Sequence, residues 1–229
     1  PSNIKNFLLN SVKSGKLKTN LNLKFDKNNN IKEYNFEGFI KKTKINYLNQ
    51  FNLEDLKLIF SINEEFFDLN SITGKINDIS IKKGNLLIQR QPNIKIEGEV
   101  FSEANLDEKK LRGIIKEKKF HKILENKIAT SIKANNKIFA EFDKTLKIKT
   151  YNFETLGEIG EARILFKQPI SNRLLSEEIR LMKLKKSSFK FSKKNNSDSK
   201  YFLSGEYSFD ENKFNKFRLE SSGNKSNNF

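Results

Sequence analysis

The chain has 229 residues, which is enough for one large β domain or for a domain and part of a neighbour. It carries 44 Lys and Arg against 28 Asp and Glu, a net charge of +16, and no cysteine. The lack of cysteine excludes a zinc ribbon, a thiolate nucleophile and a disulfide framework. Because the sequence opens on Pro1 and its only methionine is Met182, we expect a fragment of a longer protein.

The basic charge is the first candidate for a functional signal. A net charge of +16 favours nucleic acid or an anionic membrane surface as a partner. Only six of the basic residues are arginines, whereas bidentate contacts to bases and phosphates favour the planar guanidinium. The abundant Lys, Asn and Ile instead indicate an A+T-rich coding sequence. We therefore expect no nucleic-acid partner, and a basic nucleic-acid-binding module remains a second alternative.

The chain begins with a predicted amphipathic helix over 2–14, which Gly15 ends. Over 17–25 the apolar period changes to two, which predicts a strand. The turn-forming residues 26–30 follow, and alternation then resumes over 31–42. The spacing predicts a β-hairpin directly after the helix.

Further strands are predicted wherever apolar residues alternate, over 56–62, 69–81, 86–89, 93–101, 138–142, 146–148, 162–166, 188–191, 200–209 and 214–220. Apolar residues between 107 and 134 have helical spacing, and 174–184 is predicted to hold a short helical turn. We expect a mainly β chain in three parts, with a first β section over 1–106, a helical insert over 107–136 and a second β section over 137–220. The polar tail 221–229 is expected to be frayed.

A glycine recurs at the centre of an apolar-x-Gly-x-apolar pattern, at Gly38, Gly74, Gly98 and Gly205. Side chains alternate along a strand, so each glycine and its apolar neighbours share one face, with a gap at the centre. The chain has few helices to cover such a face. The pattern therefore predicts either a second covering sheet or a guest with long hydrocarbon chains.

Residues suited to catalysis are scarce. The only histidine, His121, lies in a lysine-rich helical stretch and is interpreted as solvated. The pairs Glu64–Glu65 and Glu177–Glu178 cannot converge on one substrate atom, because adjacent side chains diverge in strands and in helices. No phosphate-binding glycine loop, nucleophile elbow or metal motif is present in the sequence. We expect no enzymatic activity, no catalytic residue, no metal and no cofactor.

The order of elements carries a resemblance to a known family. A short helix leads into Ser14–Leu23, an aromatic strand ends in Phe36–Ile40, and Ile72–Ile76 and Asn105–Asp107 follow. In this order the stretch 4–107 resembles the central region of the AsmA-like YhdP family, relatives of TamB in Gram-negative envelopes. The later half resembles further β repeats of the same kind. The chain departs from the family in its lysine and asparagine content and in its lack of Trp.

The resemblance implies an elongated, curled antiparallel sheet with a hydrophobic groove and one or two short helices. It implies a periplasmic protein anchored in the inner membrane, which carries phospholipid towards the outer membrane and supports envelope integrity. The partners implied are phospholipid acyl chains, and membranes contacted through flanking regions. Uniform apolar lining would let a lipid move between equivalent positions while its headgroup stays in water.

One continuous apolar face is expected to line this groove. Its residues are Leu21, Leu23, Phe36, Gly38, Ile40, Leu58, Phe60, Ile72, Gly74, Ile76, Ile96, Gly98 and Val100. The first alternative is a structural β-sandwich or scaffold module of an envelope protein, whose apolar faces cover each other. The two hypotheses differ in whether protein closes the apolar face.

Overall fold

The computed structural model describes residues 10–47, 51–77, 79–90, 92–114, 125–143, 145, 147–171, 178–195, 197–210 and 213–223. The described chain is mainly β, as the alternation predicted. Its strands are β1 (Val12–Phe25), β2 (Ile31–Tyr47), β3 (Phe51–Asn63), β4 (Phe66–Ile76), β5 (Ile79–Gln89), β6 (Ile94–Asp107), β7 (Lys127–Phe142), β8 (Ile148–Ile159), β9 (Ala162–Ile170), β10 (Ile179–Lys194), β11 (Ser199–Phe209) and β12 (Asn215–Gly223), and helix α1 spans Glu108–Ile114.

The twelve strands form one antiparallel sheet in which neighbours in sequence are mostly neighbours in space. The order is β1-β2-β3-β4-β5-β6-β7-β8-β10-β11-β12, and β9 pairs with both β7 and β10. Ile164 of β9 is in register with Ile128 of β7, and Ala162 is in register with Leu184 of β10. Strands β8 and β9 therefore occupy the same position in the sheet, one after the other.

The predicted hairpin turn at 26–30 is confirmed. The Asp26 carboxylate accepts hydrogen bonds from the backbone amides of Asn28 (2.7 Å) and Asn30 (2.9 Å). Asn29 adopts a left-handed conformation with φ of 62°, which asparagine tolerates better than most residues. Asn30 donates hydrogen bonds to this carboxylate from its backbone amide and from its side chain. These bonds, above all the one from the backbone amide, hold the pKa of Asp26 below its ordinary value. The turn fixes the register of β1 against β2.

The chain divides into two compact units. Unit 1 comprises Pro1–Ser102 and Asn136–Phe153, and unit 2 comprises Glu103–Asn135 and Glu154–Phe229. The buried apolar side chains are Leu56, Leu58, Phe60 and Ala140 in unit 1, and Leu106, Ile128, Ala134, Ala162 and Ile164 in unit 2. The boundary between the units crosses β6, β7 and β8 within their lengths, so neither unit is one continuous stretch of sequence.

Two predicted helices are wrong in part. Residues 1–9 lie outside the described structure, but Val12–Ser14, predicted to be helical, belong to β1, where Val12 is in register with Ile45. The predicted insert over 107–136 is helical only at Glu108–Ile114, and from Lys127 onwards it is strand β7. The cause is visible in the sequence, since Ile128, Thr130, Ile132 and Ala134 alternate with a period of two. Residues 115–124 lie outside the described structure.

Other predicted boundaries also change. The helical turn predicted over 174–184 is wrong from Ile179, which opens β10 and pairs with Ile170 of β9. The strand predicted over 69–81 is two strands, because the chain turns after Ile76, and Asn77 has a φ of 52°. The prediction of a frayed tail is wrong for 221–223, which belong to β12, and residues 224–229 lie outside the described structure. Within the described ranges, no helix is both long and apolar enough to cross a membrane.

Candidate functional site

The predicted apolar face lies in unit 1 and is assembled by the strand register. Directly paired residues of antiparallel strands point to the same side of a sheet. One row therefore runs from Leu21 of β1 through Phe36 of β2 to Ile62 of β3. A second row consists of Thr19, Gly38, Phe60, Leu69 and Leu86, and a third of Leu17, Ile40 and Leu58. These rows define the apolar face of unit 1.

The remaining predicted residues join the same face. Ile72 packs against the buried cluster of Leu56, Leu58 and Phe60. Gly74 and Ile76 follow at steps of two, and a Cβ on Gly98 would meet the side chain of Leu86. Ile96 and Val100 flank Gly98 in the same way. The structure thus brings together all thirteen residues that the sequence analysis assigned to the lining.

Three bulges keep this face continuous. Lys42, Asp55 and Ser71 have φ angles of 50°, 50° and 53°, and the strand register shifts at Lys42 and at Asp55. At each bulge, the next residue on the apolar face comes three positions after the previous one, and not two. Leu56 follows Leu53 in this way, and Ile72 follows Leu69. The sequence analysis missed the bulges, although the three-residue spacing between apolar residues was a visible signal.

Neighbouring side chains fill the gaps that the glycines leave. A Cβ on Gly38 would lie 2.9 Å from the Phe60 ring and 2.1 Å from the Lys18 carbonyl oxygen. A Cβ on Gly98 would lie 2.8 Å from Leu86, and one on Gly205 in unit 2 would lie 2.3 Å from the Ser187 hydroxyl. These glycines therefore admit parts of the protein. The gap expected at the centre of the face is therefore filled by protein at these positions.

The apolar face is buried only at its centre. Leu58 and Phe60 are 9% and 8% exposed, whereas Leu21 and Leu23 near the β1 edge are 47% and 37% exposed. The other predicted apolar residues are half-buried, namely Phe36, Ile40, Ile72, Ile76, Ile96 and Val100. The partly buried apolar residues around the central cluster, from Phe36 to Ile72, all belong to strands β2, β3 and β4. Among the described residues, the buried cluster is thus packed laterally, by side chains of neighbouring strands in the same sheet.

The opposite face of unit 1 carries ion pairs, beside a few apolar side chains such as Phe39 and Ile59. Lys24 forms an ion pair with Glu33 at 2.5 Å, and Lys137 with Glu99 at 3.5 Å. The hydrogen bond between Lys24 and Glu33 raises the pKa of the lysine and lowers the pKa of the carboxyl group. Both side chains are exposed, so this pair contributes little to stability. Unit 1 therefore presents one charged face and one apolar face.

The residues considered for catalysis do not form a site in the described structure. The Glu64 carboxylate accepts a hydrogen bond from the Tyr34 backbone amide, while Glu178 pairs with Arg180 at 3.3 Å. His121 and Glu177 lie outside the described residues. Among the residues that the structure describes, no three His, Cys, Asp or Glu side chains are grouped so as to hold a metal ion.

Unit 2 has an apolar face of its own, which the sequence analysis did not include in the site. Ile128 and Ile164 form its buried centre, and Leu111 of helix α1 packs against them with Phe166 and Met182. Aromatic rings continue this surface along β11, where Tyr207 contacts Phe209 at 5.3 Å between centroids. The signal was the alternation of Tyr201, Leu203, Gly205, Tyr207 and Phe209.

We compared the chain with known proteins. No family model, no curated protein and no solved structure matches it.

Proposed function

We propose that the apolar face of unit 1 binds phospholipid acyl chains, without catalysis. One observation carries this proposal. The face is continuous from β1 to β6, yet among the large apolar side chains of unit 1 that the structure describes, only Leu56, Leu58 and Phe60 are buried. Apolar side chains left half-exposed on such a scale favour an additional apolar partner, because removing their surface from water stabilises a complex.

The dimensions and energies suit an acyl chain. Six strands spaced about 4.8 Å apart span about 24 Å along the sheet. One acyl chain needs about half of the bilayer core of about 30 Å. Burial of a sixteen-carbon chain at about 0.8 kcal/mol per methylene gives at most about 13 kcal/mol. An acyl chain that is only partly buried on an open face gains a fraction of this free energy, which permits both binding and release.

The chemistry of the lining supports a sliding ligand. Aliphatic and aromatic side chains follow one another along the rows, and the charged side chains of these strands lie on the opposite face. A chain that moves along such a surface loses and gains similar contacts at each step. In the proposed role the protein is a segment of a periplasmic lipid-transfer route between inner and outer membranes that supports envelope integrity.

Lysine substitutions on the two faces test the proposal. Ile72→Lys and Ile96→Lys place a charge on the apolar face, where a buried ammonium is unfavourable. Asn70→Lys is the matched control, because Asn70 is exposed and pairs with Ile59 on the opposite face. Each protein is purified from bacterial cells, checked for its β circular dichroism, and examined by native mass spectrometry for bound phospholipid.

We expect phospholipid on the wild-type chain and on Asn70→Lys, and at least tenfold less on the two apolar-face variants, which corresponds to about 1.4 kcal/mol. Full lipid occupancy in a folded Ile72→Lys variant would contradict the proposal. A wild-type chain that stays lipid-free, even with added phospholipid, would instead favour the structural module. Co-purified nucleic acid that salt releases would favour the basic nucleic-acid-binding module.

A further inference from the structure

The hairpin formed by β1 and the start of β2 carries five of the fourteen exposed large apolar side chains of the described chain. Leu17 is 65% exposed, and Phe25 and Ile31, which pair across the hairpin, are each 57% exposed. The other large apolar side chains more than half exposed in the described structure are Ile59, Ile148 and Leu219, each in a different strand. Only the hairpin groups several such side chains.

The same hairpin is strongly basic. Residues 12–32 contain six lysines (Lys13, Lys16, Lys18, Lys24, Lys27 and Lys32) and one acidic residue, Asp26, so this segment has a net charge of +5. The Asp26 carboxylate is engaged by backbone amides of its own turn. Across the strands Lys16 faces Lys41 and Lys18 faces Phe39, so neither has an acidic residue as its direct partner in register.

The position of the hairpin makes this surface accessible. Strand β1 is at one end of the strand order, and its residues from Lys13 to Phe25 are all exposed. Edge lysines also discourage pairing with another strand, because they must be desolvated or repelled when a second chain approaches. Along β1 the exposed apolar side chains and the lysines lie on opposite faces, and the two faces meet at this edge of the sheet. The edge therefore matches an anionic bilayer surface, in which rings and aliphatic chains enter the interface and ammonium groups meet phosphates.

We propose that the β1–β2 hairpin docks on the surface of an anionic phospholipid bilayer through Leu17, Phe25 and Ile31 and the surrounding lysines. This inference concerns membrane attachment at the β1 edge of the apolar face, to which Leu17 belongs, and does not depend on acyl-chain binding across β2 to β6. Apolar insertion and lysine attraction act together here, as stable attachment to a membrane surface requires.

Vesicle sedimentation of the full chain tests this docking. The vesicles contain phosphatidylcholine alone or an equal mixture with phosphatidylglycerol. One variant replaces Lys16, Lys18 and Lys27 with glutamine, and its matched control replaces Lys200, Lys213 and Lys216, which removes the same charge from unit 2. A second variant combines Leu17→Ser with Phe25→Ser, and its control is Leu219→Ser, at a side chain 60% exposed on β12.

We expect wild-type protein to sediment with anionic vesicles at low salt and to be released at high salt. The hairpin lysine variant should lose affinity by about fivefold per lysine removed, and the serine variant should lose at least tenfold. Both controls should bind nearly as wild type. Equal losses in the two lysine variants, or equal binding to neutral vesicles, would overturn the proposal.

Two further outcomes separate this proposal from its rivals. If wild type is a dimer, and the serine variant becomes monomeric but binds vesicles normally, the hairpin contacts a second copy and the docking proposal is wrong. If Ile72→Lys removes bound lipid but leaves vesicle sedimentation intact, acyl-chain binding and bilayer docking are confirmed as separate properties.

Discussion

The buried centres of the two units are built differently. In unit 1, the described apolar side chains that pack against Leu56, Leu58 and Phe60 belong to β2, β3 and β4, and the Phe60 ring lies over Gly38. Unit 2 also places a ring over a glycine, Phe189 over Gly157. Its buried cluster, however, also packs against Leu111 from helix α1. A single sheet can thus bury a large ring laterally, whereas the branched Ile128 and Ile164 are buried with a helix above them.

The largest expected effect on stability comes from removing the Phe60 ring in unit 1. Phe60→Ala removes a side chain that is 8% exposed and leaves Leu56 and Leu58 without their main lateral contact. We expect a loss of about 3 kcal/mol in the free energy of unfolding, measured by urea denaturation. Phe101→Ala, at a side chain 36% exposed, is the control and should cost much less. Equal costs would mean that Phe60 does not form the centre of unit 1.

The glycine beneath that ring gives the second effect. A Cβ on Gly38 would overlap the Lys18 carbonyl oxygen and the Phe60 ring, so Gly38→Ala should destabilise the protein by about 2 kcal/mol. With Phe60 already replaced by alanine, the same change should cost less, because part of the overlap is gone. A double-mutant cycle measures this coupling, for which we expect at least about 0.5 kcal/mol. Strict additivity would show that the ring does not rest on the glycine.

Removal of the helix contact in unit 2 should have a smaller effect. Leu111 is only half-buried, so we expect Leu111→Ala to cost about 1–2 kcal/mol. Hydrogen exchange at the amides of β7 and β9 should accelerate, whereas exchange at β3 should not change. Leu165→Ala, at a side chain 47% exposed on β9, is the control and should leave these rates nearly unchanged. Unchanged exchange in Leu111→Ala would remove the distinction between the two clusters.

Acid should weaken unit 1 first. The carboxyl groups of Asp26 and Asp143 in unit 1 have pKa values below their ordinary value, because backbone amides and side chains of their turns donate hydrogen bonds to them. A lowered folded pKa means that the unfolded chain binds protons more readily. The stabilisation is therefore present above about pH 4 and is lost as the pH falls towards the folded values.

Urea denaturation at neutral and acidic pH measures this loss. Asp26→Asn should reduce the difference in stability between the two pH values. If hydrogen exchange in unit 2 accelerates before that in unit 1 at low pH, the assignment of acid sensitivity to the turns of unit 1 is wrong.

The sequence was most informative where local pattern and strand register agree. Alternation predicted the strands and the common face of residues such as Phe36, Ile40 and Phe60, because the side-chain period of a strand is a local property. It did not predict what fills the space beside Gly38 or Gly98. That depends on which residue lies opposite in the register, and register is set by pairing between strands.

The predicted helices were wrong for a related reason. Ile179–Leu184 has apolar residues at both helical and strand spacings, and Val12–Ser14 contains a single apolar residue, so the local pattern of neither short segment decides its structure. Pairing with Ile45 and with β9 decided in favour of strands. The candidate site was therefore predictable as a set of residues, while its bulges, its filled gaps and its exposed edge required the structure.

The order of strands also bears on how the chain folds. Most pairings join strands that follow one another in sequence, so each new strand closes only a short loop when it adds to the sheet. Such local topology lowers the contact order and favours growth by successive addition, as in repeat proteins. Strand β12 pairs with β11 at one end of the order, so it can detach while the other pairings persist, and local opening should begin there.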